Sequence, residues 1–582
     1  MLPIQQIQKW MHNKQTDVFI INRTDEFLSE YISPYAERLK WVSGFSGSAG
    51  RAIIEKNKAY IFVDGRYTNQ AEQEIDEKTF TIKHLKDYWR HLELFNQDKK
   101  HVSLDPKHHS IIEIEKMQEI YLHSDVSLNF VKKNPIDLYW DDQPDYPKSL
   151  TFLHQEKFSG ESAISKITKI QDKLNSIFID YFILSSLDSI AWLLNIRGDD
   201  IKFTPLVCSY VIISNKGKIH LFIDKSKIEN FEYFETLTII HPFEEVDNFL
   251  DNLDKHKVIG LDGKECAYHF KNICLVNGLA INYFENPCLY PKAQKNKVEL
   301  EGARQANLRD GVSVTKFLYW LKNKISFEKI NEINAADYLL KLREVNNLFH
   351  SPSFDTISAI GPNAALPHYR VTKKSNQQFD NNSIYLVDSG AQYLDGTTDI
   401  TRTVILGKPS AEQKDRFTRV LKGHIAIATH IFEKNTKGSS IDPLARQSLA
   451  EINCDYDHGT GHGIGNFLSV HEGPQRIAKF QGQSDSVIKN GMIISNEPGF
   501  YKKGEYGIRI ENLLISSFLN SEKMYFETIS WAPIDIDLIE ATLLTTQEIH
   551  WLNSYHKKVY DKISPSLDQE EKEWLMIVTS SL

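Results

Sequence analysis

The segment Ile384–Val404, IYLVDSGAQYLDGTTDITRTV, decides the fold of this chain. An apolar run, Ile384–Val387, leads into Asp388, and the turn sequence LDGT at 394–397 precedes Asp399. Because Asp-Gly is a strong hairpin signal, we predict that the two aspartates lie on neighbouring strands of one hairpin. Carboxylates buried side by side repel each other and are costly to bury, and a cation between them removes both problems. The segment therefore predicts a metal site, with further ligands elsewhere in the chain.

Length and composition indicate a multidomain globular protein. At 582 residues the chain is too long for a single core, and we expect about three or four domains. Hydrophobic residues make up 41% of the sequence and charged residues 25%, as is usual for soluble globular proteins. A net charge of -9, without any basic block, argues against a nucleic-acid partner.

Several absences in the sequence bear on its compartment. No apolar run reaches the length of a membrane span, and the segment MLPIQQIQKWMHNKQTD has no apolar signal-peptide core. The five cysteines are scattered and form no C-x-x-C pair, which fits buried thiols in a reducing compartment. We therefore expect a cytoplasmic protein without a membrane partner.

The chain is predicted to be a mixed α/β protein of four domains: 1–148, 149–293, 294–519 and 520–582. A linker rich in proline and acidic residues, near 134–148, separates the first two. In the first domain, 59–63 is a predicted buried strand that ends at Asp64, and a helix is expected over 69–76. Asp224 closes a similar strand in the second domain. This internal similarity has two interpretations, a duplicated α/β domain or chance.

Helical patterns dominate two further stretches. Apolar residues at roughly helical spacing from Val298 to Leu321 predict a long helix at the start of the third domain. In the last domain, Thr545 or Thr546 is expected to begin one helix, and the sequence at 566–569 resembles a capping box before another. We predict a structural role for this last domain.

Two histidines lie four residues apart in DHGTGHGIG, at 457–465. On a helix, this spacing would present both His458 and His462 as ligands. The glycines of the segment argue against a helix. In an extended or looped backbone, we expect at most one of the two to bind a metal directly, while the other lines the site.

Two glutamates complete the candidate ligand set. Glu497 ends an apolar strand at a Pro-Gly turn, and Glu511 is predicted in an alternating strand on the same face as Arg509. With Asp388 and Asp399 they supply four negative charges, which balance two divalent cations. Oxygen-rich ligation with one imidazole suits Mn²⁺, Co²⁺ or Zn²⁺, and bridging carboxylates would hold two such ions about 3.5–4 Å apart.

The order of these residues, with NEPGFY at 496–501 and GIRIEN at 507–512, resembles the pita-bread metallopeptidases, and within them the long, cytosolic Xaa-Pro aminopeptidases (aminopeptidase P). The segments YISPYAERLKWVSGFSGSAG and LDSIAWLLNIRGDDI are similar to their first two domains. The resemblance implies two creatinase-like α/β domains, a pita-bread catalytic domain, a C-terminal extension and a homodimer.

The resemblance also implies how the metals are held. Asp388 binds one metal, His462 and Glu497 bind the other, and Asp399 and Glu511 bridge the pair. Manganese is the expected metal, and zinc or cobalt would also fit the ligands.

Four further residues receive roles from the same resemblance. His368 contacts the substrate near the scissile bond, His458 and His471 line the substrate site, and Arg509 orients the bridging carboxylates. The sequence departs from the expected pattern at Pro367, which favours an extended backbone at the residue before it.

The implied reaction is hydrolysis of the bond before proline in the second position of a peptide. A hydroxide between the metals attacks the carbonyl of the first residue, and His368 or His471 stabilises the oxyanion. Glu497 passes the proton of the water to the leaving nitrogen. One alternative is a prolidase, which is restricted to Xaa-Pro dipeptides and has nearly the same ligands. A non-catalytic peptide-binding protein of the same fold is disfavoured because all five ligand positions are present.

Overall fold

The structure is a computed structural model that describes residues 1–97, 99–324, 330–479 and 485–582. It divides into two compact units, one of Met1–His154 with Glu161–Leu289 and one of Gln155–Gly160 with Tyr290–Leu582. Both units mix helices and strands, which confirms the predicted α/β class. The four predicted domains are a finer division, and their bounds stay predictions. Within the described ranges, no helix combines the length and apolar character that a membrane crossing requires.

The first sheet of the N-terminal unit has six strands in the order β4-β3-β2-β1-β5-β6. Its strands are β1 Val18–Asn22, β2 Gly50–Glu55, β3 Ala59–Val63, β4 Thr81–His84, β5 His101–Leu104 and β6 Ser127–Phe130. The helices of this part are α1 Pro3–Asn13, α2 Arg38–Ser43, α3 Thr68–Glu74, α4 Tyr88–Glu93, α5 Ile111–Ile120 and α6 Pro135–Tyr139. The predicted strand is β3, and the predicted helix is α3, which ends two residues earlier than expected.

Helices cover both faces of this sheet, so its strands are apolar on both faces. In β1, Ile20 lies in one buried cluster with Phe62, while its neighbour Ile21 lies in another with Ile61. Successive side chains of a strand point to opposite faces, so a strand buried on both faces needs a continuous apolar run.

The second sheet has the order β12-β11-β10-β8-β13-β14. Its strands are β8 Tyr181–Leu184, β10 Tyr210–Ser214, β11 Ile219–Phe222, β12 Thr238–His241, β13 Val258–Leu261 and β14 Ala280–Tyr283, and β7 Phe152–Leu153 pairs with β9 Ile196–Arg197 outside it. The helices here are α8 Ala163–Ser176, α9 Leu187–Leu194, α10 Phe231–Leu237, α11 Val246–Asp251 and α12 Tyr268–Val276. Two others that are near in sequence, α7 Glu156–Ser159 and, apart from its first residue, α13 Leu289–Ala293, belong to the second unit.

The two sheets of this unit repeat one topology. Each has two antiparallel pairs at its centre, β1 with β2 and β2 with β3 in the first, β8 with β10 and β10 with β11 in the second, and parallel pairs outside them. Asp64 and Asp224 play the same part, each accepting a hydrogen bond from the backbone N–H two residues on, at 3.1 Å and 2.9 Å. The repeated topology supports duplication over chance similarity.

The second unit has a six-stranded sheet of order β21-β28-β27-β24-β22-β23, two three-stranded sheets, β16-β17-β20 and β15-β18-β19, and the pair β25-β26. Its strands are β15 Phe349–Pro352, β16 Ile357–Ile360, β17 Ile384–Ser389, β18 Ala391–Tyr393, β19 Gly396–Thr397, β20 Ile400–Ile405, β21 Phe432–Glu433, β22 Gly461–Gly463, β23 Glu472–Ile477, β24 Ile493–Asn496, β25 Gly499–Lys502, β26 Tyr506–Arg509, β27 Asn512–Phe518 and β28 Lys523–Thr528. Besides α7 and α13, its helices are α14 Lys297–Lys324, α15 Glu332–Glu344, α16 Ala411–Ala428, α17 Gly438–Ala450, α18 Thr546–Ile563 and α19 Gln569–Val578.

The predicted long helix is α14, and it lies behind the strand that carries Asp388. Phe317 and Leu321 of this helix share a buried cluster with Tyr385 and Val387 of β17. This packing fixes the position of β17, and therefore of Asp388, from the side opposite to the candidate site.

The two helices of the C-terminal region begin at capping residues, one as predicted and one not. Thr545 caps α18, as expected. Asp568, not Ser566, caps α19, with Glu571 completing the capping box. The prediction was wrong because Ser566 ends a short 3-10 helix and Leu567 is extended, so the first helical N–H groups follow Asp568.

A buried ion pair joins helices α14 and α15 to the strand that carries Asp388. Arg343 Nε and Nη2 donate to the two carboxylate oxygens of Asp310 at 2.7 Å and 2.9 Å. Arg343 also donates to Ser389 Oγ at 3.1 Å, one residue beyond Asp388. Both partners are about 2% exposed, so neither charge has water to replace its partner.

Removing this arginine should destabilise the second unit strongly. Arg343→Met leaves the Asp310 carboxylate buried without its cation, which should lower the free energy of unfolding by about 3–5 kcal/mol. Arg370→Met is the matched control, because Arg370 pairs with Asp355 at a site where its side chain is 47% exposed, and it should cost less than about 1 kcal/mol. Urea titrations followed by circular dichroism measure both, and equal losses would contradict this account of the ion pair.

Candidate metal centre

The structure places Asp388 and Asp399 side by side, as the hairpin prediction requires, with one addition. Strands β17 and β20 pair antiparallel, with Asp388 opposite Thr401. The residues between them leave this pair and form a second, smaller hairpin, β18 with β19, which turns at Leu394-Asp395. Asp399 therefore lies one residue before β20 begins. Both aspartates are buried, at 7% and 4% exposure.

His462 lies in the short strand β22, as the glycines around it predicted. A Cβ atom at Gly461 would lie 1.9 Å from the Ser495 carbonyl oxygen, so only glycine permits this close approach. His462 Nδ1 lies 3.0 Å from the Gly463 carbonyl oxygen. Since a carbonyl only accepts, Nδ1 carries a hydrogen, and in the neutral imidazole Nε2 carries the lone pair. That Nε2 lies 3.5 Å from Asp399 Oδ2 and 3.4 Å from Glu497 Oε1.

Each of the two glutamates lies next to a strand of the six-stranded sheet, Glu497 after β24 and Glu511 before β27. Glu497 comes directly after β24, as predicted, and its side chain is 16% exposed. The prediction that Glu511 lies in a strand was wrong, because the chain crosses there from β26 to β27, which belong to different sheets. The Glu511 N–H donates to the Thr401 carbonyl at 3.2 Å, and its Oε2 accepts from Thr401 Oγ1 at 2.8 Å.

These side chains converge on one point. Asp399, His462 and Glu511 offer ligand atoms that all lie within 4.8 Å of one another. Burial, together with repulsion from Glu511 and Asp388, raises the pKa of Asp399 well above its usual range. Burial and repulsion from Asp388 raise the pKa of Glu511 in the same way, and they raise that of Glu497 to about 7. The cluster therefore carries more negative charge than its surroundings balance.

The donor set fits divalent cations. Across the described part of the chain, Asp388 Oδ1 and Glu511 Oε1 are buried oxygens without a hydrogen-bond partner. With the imidazole neutral and the carboxylates ionised, His462 Nε2 and the oxygens that face it offer lone pairs and no hydrogen. Acceptors that converge in this way need a cation, and oxygen ligands with one imidazole suit Mn²⁺, Co²⁺ or Zn²⁺.

Arg509 connects three parts of the site. Its Nη2 donates to Asp388 Oδ2 at 2.6 Å and to the Pro367 carbonyl at 3.1 Å, and its Nε donates to Thr401 Oγ1 at 3.2 Å. It therefore contacts Asp388 directly and reaches Glu511 through Thr401. The sequence argument expected it to orient the bridging carboxylates, and its hydrogen bonds lead to that of Glu511 through one intermediate hydroxyl.

Tyr501 is a site residue that the sequence reasoning missed. Its hydroxyl accepts from Arg509 Nη1 at 2.5 Å and lies 2.8 Å from His458 Nε2. His458 Nδ1 is hydrogen-bonded to the Gly459 carbonyl at 2.8 Å, so Nε2 accepts from the tyrosine. Alternation within the paired strands β25 and β26 was the available signal, because Gly499 lies opposite Arg509 and Tyr501 is two residues further on.

The remaining two predicted residues lie beside this cluster. The ring of His471 meets that of His462 edge to face, with centroids 4.4 Å apart. His368 is half-buried and directly follows Pro367, whose carbonyl accepts from Arg509. The structure therefore brings all nine predicted site residues to one region of the second unit, while their individual roles stay predictions.

Comparison with known proteins agrees with this picture. Four family models match the chain, and they cover nearly all of it: the Creatinase/Prolidase N-terminal domain at 3–132 and again at 142–299, Metallopeptidase family M24 at 301–516, and the C-terminal region of peptidase M24 at 522–582.

Curated relatives align from end to end. A probable Xaa-Pro aminopeptidase P of Coccidioides posadasii is 36% identical over 599 residues, which are 98% of this chain and 98% of that protein. A relative of the same name from Aspergillus fumigatus is 37% identical and covers 100% of this chain and 92% of its own.

Solved structures show the same architecture. The X-prolyl aminopeptidase of Caenorhabditis elegans, described as a cytosolic enzyme with a di-nuclear active site, superposes with a TM-score of 0.95 at 30% identity, covering 100% of this chain and 99% of that one. An Xaa-Pro dipeptidase of Bacillus anthracis, at 24% identity and a TM-score of 0.52, covers 64% of this chain and shares the fold. The chain therefore belongs to metallopeptidase family M24, with creatinase-type N-terminal domains, in the group of hydrolases named Xaa-Pro aminopeptidase P.

Proposed function

We propose that this chain is a metal-dependent aminopeptidase that releases the first residue from peptides with proline in the second position. The observation that carries the proposal is the convergence of Asp399, Glu511 and the lone pair of His462 Nε2 within 4.8 Å, beside Asp388 and Glu497. End-to-end alignment with proteins named Xaa-Pro aminopeptidase P supports the choice of substrate.

Five residues would hold two divalent metals, for which manganese is our first choice. Asp388 would bind one ion, His462 and Glu497 the other, and Asp399 and Glu511 both. When bound, such ions supply an activated water and polarise the scissile carbonyl. The di-nuclear active site described for the Caenorhabditis elegans enzyme supports two ions.

The protein groups would manage the protons and the developing charge. Glu497 Oε1 would take the proton of the attacking water and deliver it to the leaving proline nitrogen. His471, in contact with the ring of His462, and His368, beside Pro367, would face the carbonyl and stabilise negative charge on its oxygen.

The chain Arg509–Tyr501–His458 gives the site a second hydrogen-bonded connection. Arg509 holds the tyrosine hydroxyl, and the hydroxyl in turn donates to His458 Nε2. His458 would therefore present a fixed ring face to the peptide. This arrangement would keep the substrate in one orientation relative to Asp388, which the same arginine holds.

Selectivity for proline would follow from its backbone. The nitrogen of the scissile bond is the ring nitrogen of proline and carries no hydrogen. A site that offers no acceptor for a peptide N–H therefore loses no hydrogen bond with this substrate. A pocket shaped for the ring and for the tertiary amide can then prefer it.

The surroundings of the enzyme belong to the same proposal. We place it in the cytoplasm as a homodimer that acts on peptides and binds neither nucleic acid nor membrane. The net charge of -9 and the cytosolic relative support this placement.

Peptide cleavage tests the proposed activity directly. With Mn²⁺, the purified chain should release arginine from Arg-Pro-Pro and leave the matched peptide Arg-Ala-Pro intact, as read by mass spectrometry, and EDTA should abolish release. Cleavage of the dipeptide Arg-Pro without cleavage of Arg-Pro-Pro would identify a prolidase. Failure on all peptides by a chain loaded with metal would overturn the proposal.

Removal of one hydroxyl tests the role of Tyr501. Tyr501→Phe should lower kcat by about 10–100-fold while the bound metal is retained, because the hydroxyl orients His458 and Arg509 without touching a metal. Tyr506→Phe is the matched control, since its hydroxyl lies in the same pair of strands and, among the described residues, bonds only to Glu412, at 2.9 Å.

The control should keep kcat within about twofold of the parent enzyme, since a hydrogen bond outside the site adds little to catalysis. Steady-state kinetics with Arg-Pro-Pro and metal analysis of both variants provide the readout. An unchanged kcat for Tyr501→Phe would remove this residue from the proposed mechanism.

A further inference from the structure

A buried guanidinium lies on the face of β20 opposite to Thr401, the residue that pairs with Asp388. Arg402 of β20 is 1% exposed. Its Nη1 donates to the Thr401 carbonyl at 2.8 Å and to the Glu511 carbonyl at 2.7 Å. Arg402 therefore binds the backbone of a predicted bridging ligand and of the residue that holds that ligand's carboxylate.

The rest of this guanidinium faces the C-terminal region. Its Nη2 donates to Ala532 O at 2.9 Å and to the Tyr555 hydroxyl at 2.8 Å, and its Nε donates to Pro533 O at 3.1 Å. Every one of these acceptors is neutral, and in the described ranges no carboxylate forms an ion pair with Arg402. Burying a cation without a paired anion is costly. We therefore expect the charge of Arg402 to serve the groups that it binds.

A histidine completes the network from the opposite side. His424 of α16 is fully buried, and its Nδ1 lies 3.1 Å from the Asn496 carbonyl oxygen. Nδ1 is therefore the donor, and Nε2 accepts from Asn512 Nδ2 at 3.2 Å. Asn512 Oδ1 in turn accepts from Arg402 Nη2 at 2.9 Å.

The two asparagines are the residues next to two predicted ligands. Asn496 and Asn512 lie directly opposite each other in the pairing of β24 with β27. Glu497 follows the first, and Glu511 precedes the second. A contact that holds this asparagine pair therefore sets where both glutamates leave the sheet.

The C-terminal region contributes Tyr555 to this network. The tyrosine ring stacks against Trp551 at 5.3 Å and against Trp531 at 5.9 Å, which fixes its hydroxyl beside Arg402. The hydroxyl also lies 3.3 Å from Asn512 Oδ1. The tyrosine is thus held rigidly within reach of both the arginine and the asparagine.

We propose that Tyr555, through Arg402 and Asn512, is a positioning residue for Glu511 and, with His424, for Glu497. The C-terminal region, for which the sequence predicted a structural role, is then a working part of the metal centre. This inference rests on the proposed two-metal function.

Loss of the tyrosine hydroxyl should weaken metal binding. Tyr555→Phe keeps the stacked ring and should lower Mn²⁺ affinity by about 10–100-fold, as for other outer contacts of metal ligands, with a matching fall in kcat and little change in KM. Isothermal titration of Mn²⁺ and steady-state kinetics provide the two readouts.

Tyr319→Phe is the matched control for mere docking of the C-terminal region. Tyr319 of α14 donates to Glu570 Oε2 of α19 at 3.0 Å, so it joins the same region to α14 through a bond in which Arg402 takes no part. This variant should keep the Mn²⁺ affinity within about twofold of the parent. If both tyrosine variants bind Mn²⁺ like the parent, or both lose affinity equally, the inference is wrong.

A second variant and a measurement on the unchanged chain complete the test. His424→Gln breaks the network from the other side and should also weaken Mn²⁺ binding. Hydrogen exchange of the parent should show that Mn²⁺ slows exchange at 530–535 and leaves 570–580 unchanged. Absence of that protection would overturn the inference, even where the variants fail to fold. A parent chain that binds no Mn²⁺ would instead overturn the proposed function.

Discussion

Repulsion among carboxylates that share one largely buried site is the constraint on which the second unit depends. Burial, with repulsion from Glu511 and Asp388, raises the pKa of Asp399, and burial, with repulsion from Asp388 and Glu497, raises the pKa of Glu511. Folding must hold these groups together against that repulsion before any cation binds. Many of the hydrogen bonds around these acids oppose the repulsion, because they fix the backbone next to each acid.

Three of the four acids lie at strand ends, whereas Asp388 lies within β17. Glu497 follows β24, and Glu511 and Asp399 lie just before β27 and β20. At these positions the backbone leaves the regular ladder, so a side chain can turn towards the centre while the ladder holds its neighbour. Thr401 makes three of these contacts. Its hydroxyl donates to the Glu511 carboxylate and accepts from Arg509, and its carbonyl accepts from the Glu511 N–H.

The sequence predicted site residues correctly where the signal lies in their immediate neighbours. The apolar run before Asp388, the Asp-Gly turn and the glycines around His462 predicted their local structures, and each was found. It failed where the outcome depends on distant neighbours. Glu511 was placed in a strand because alternation continues through it, whereas the chain changes sheets there. Arg402 and Tyr555 are 153 residues apart, and neither lies in a pattern that would connect them before the fold is known.

The number and place of the bound metals test the account most directly. Crystals of the chain grown with Mn²⁺ should give two peaks in an anomalous difference map, both within bonding distance of Asp399 and Glu511, one beside Asp388 and the other beside His462 and Glu497. A single peak, or peaks that contact none of these carboxylates, would contradict the claim that the buried acids form a two-metal centre.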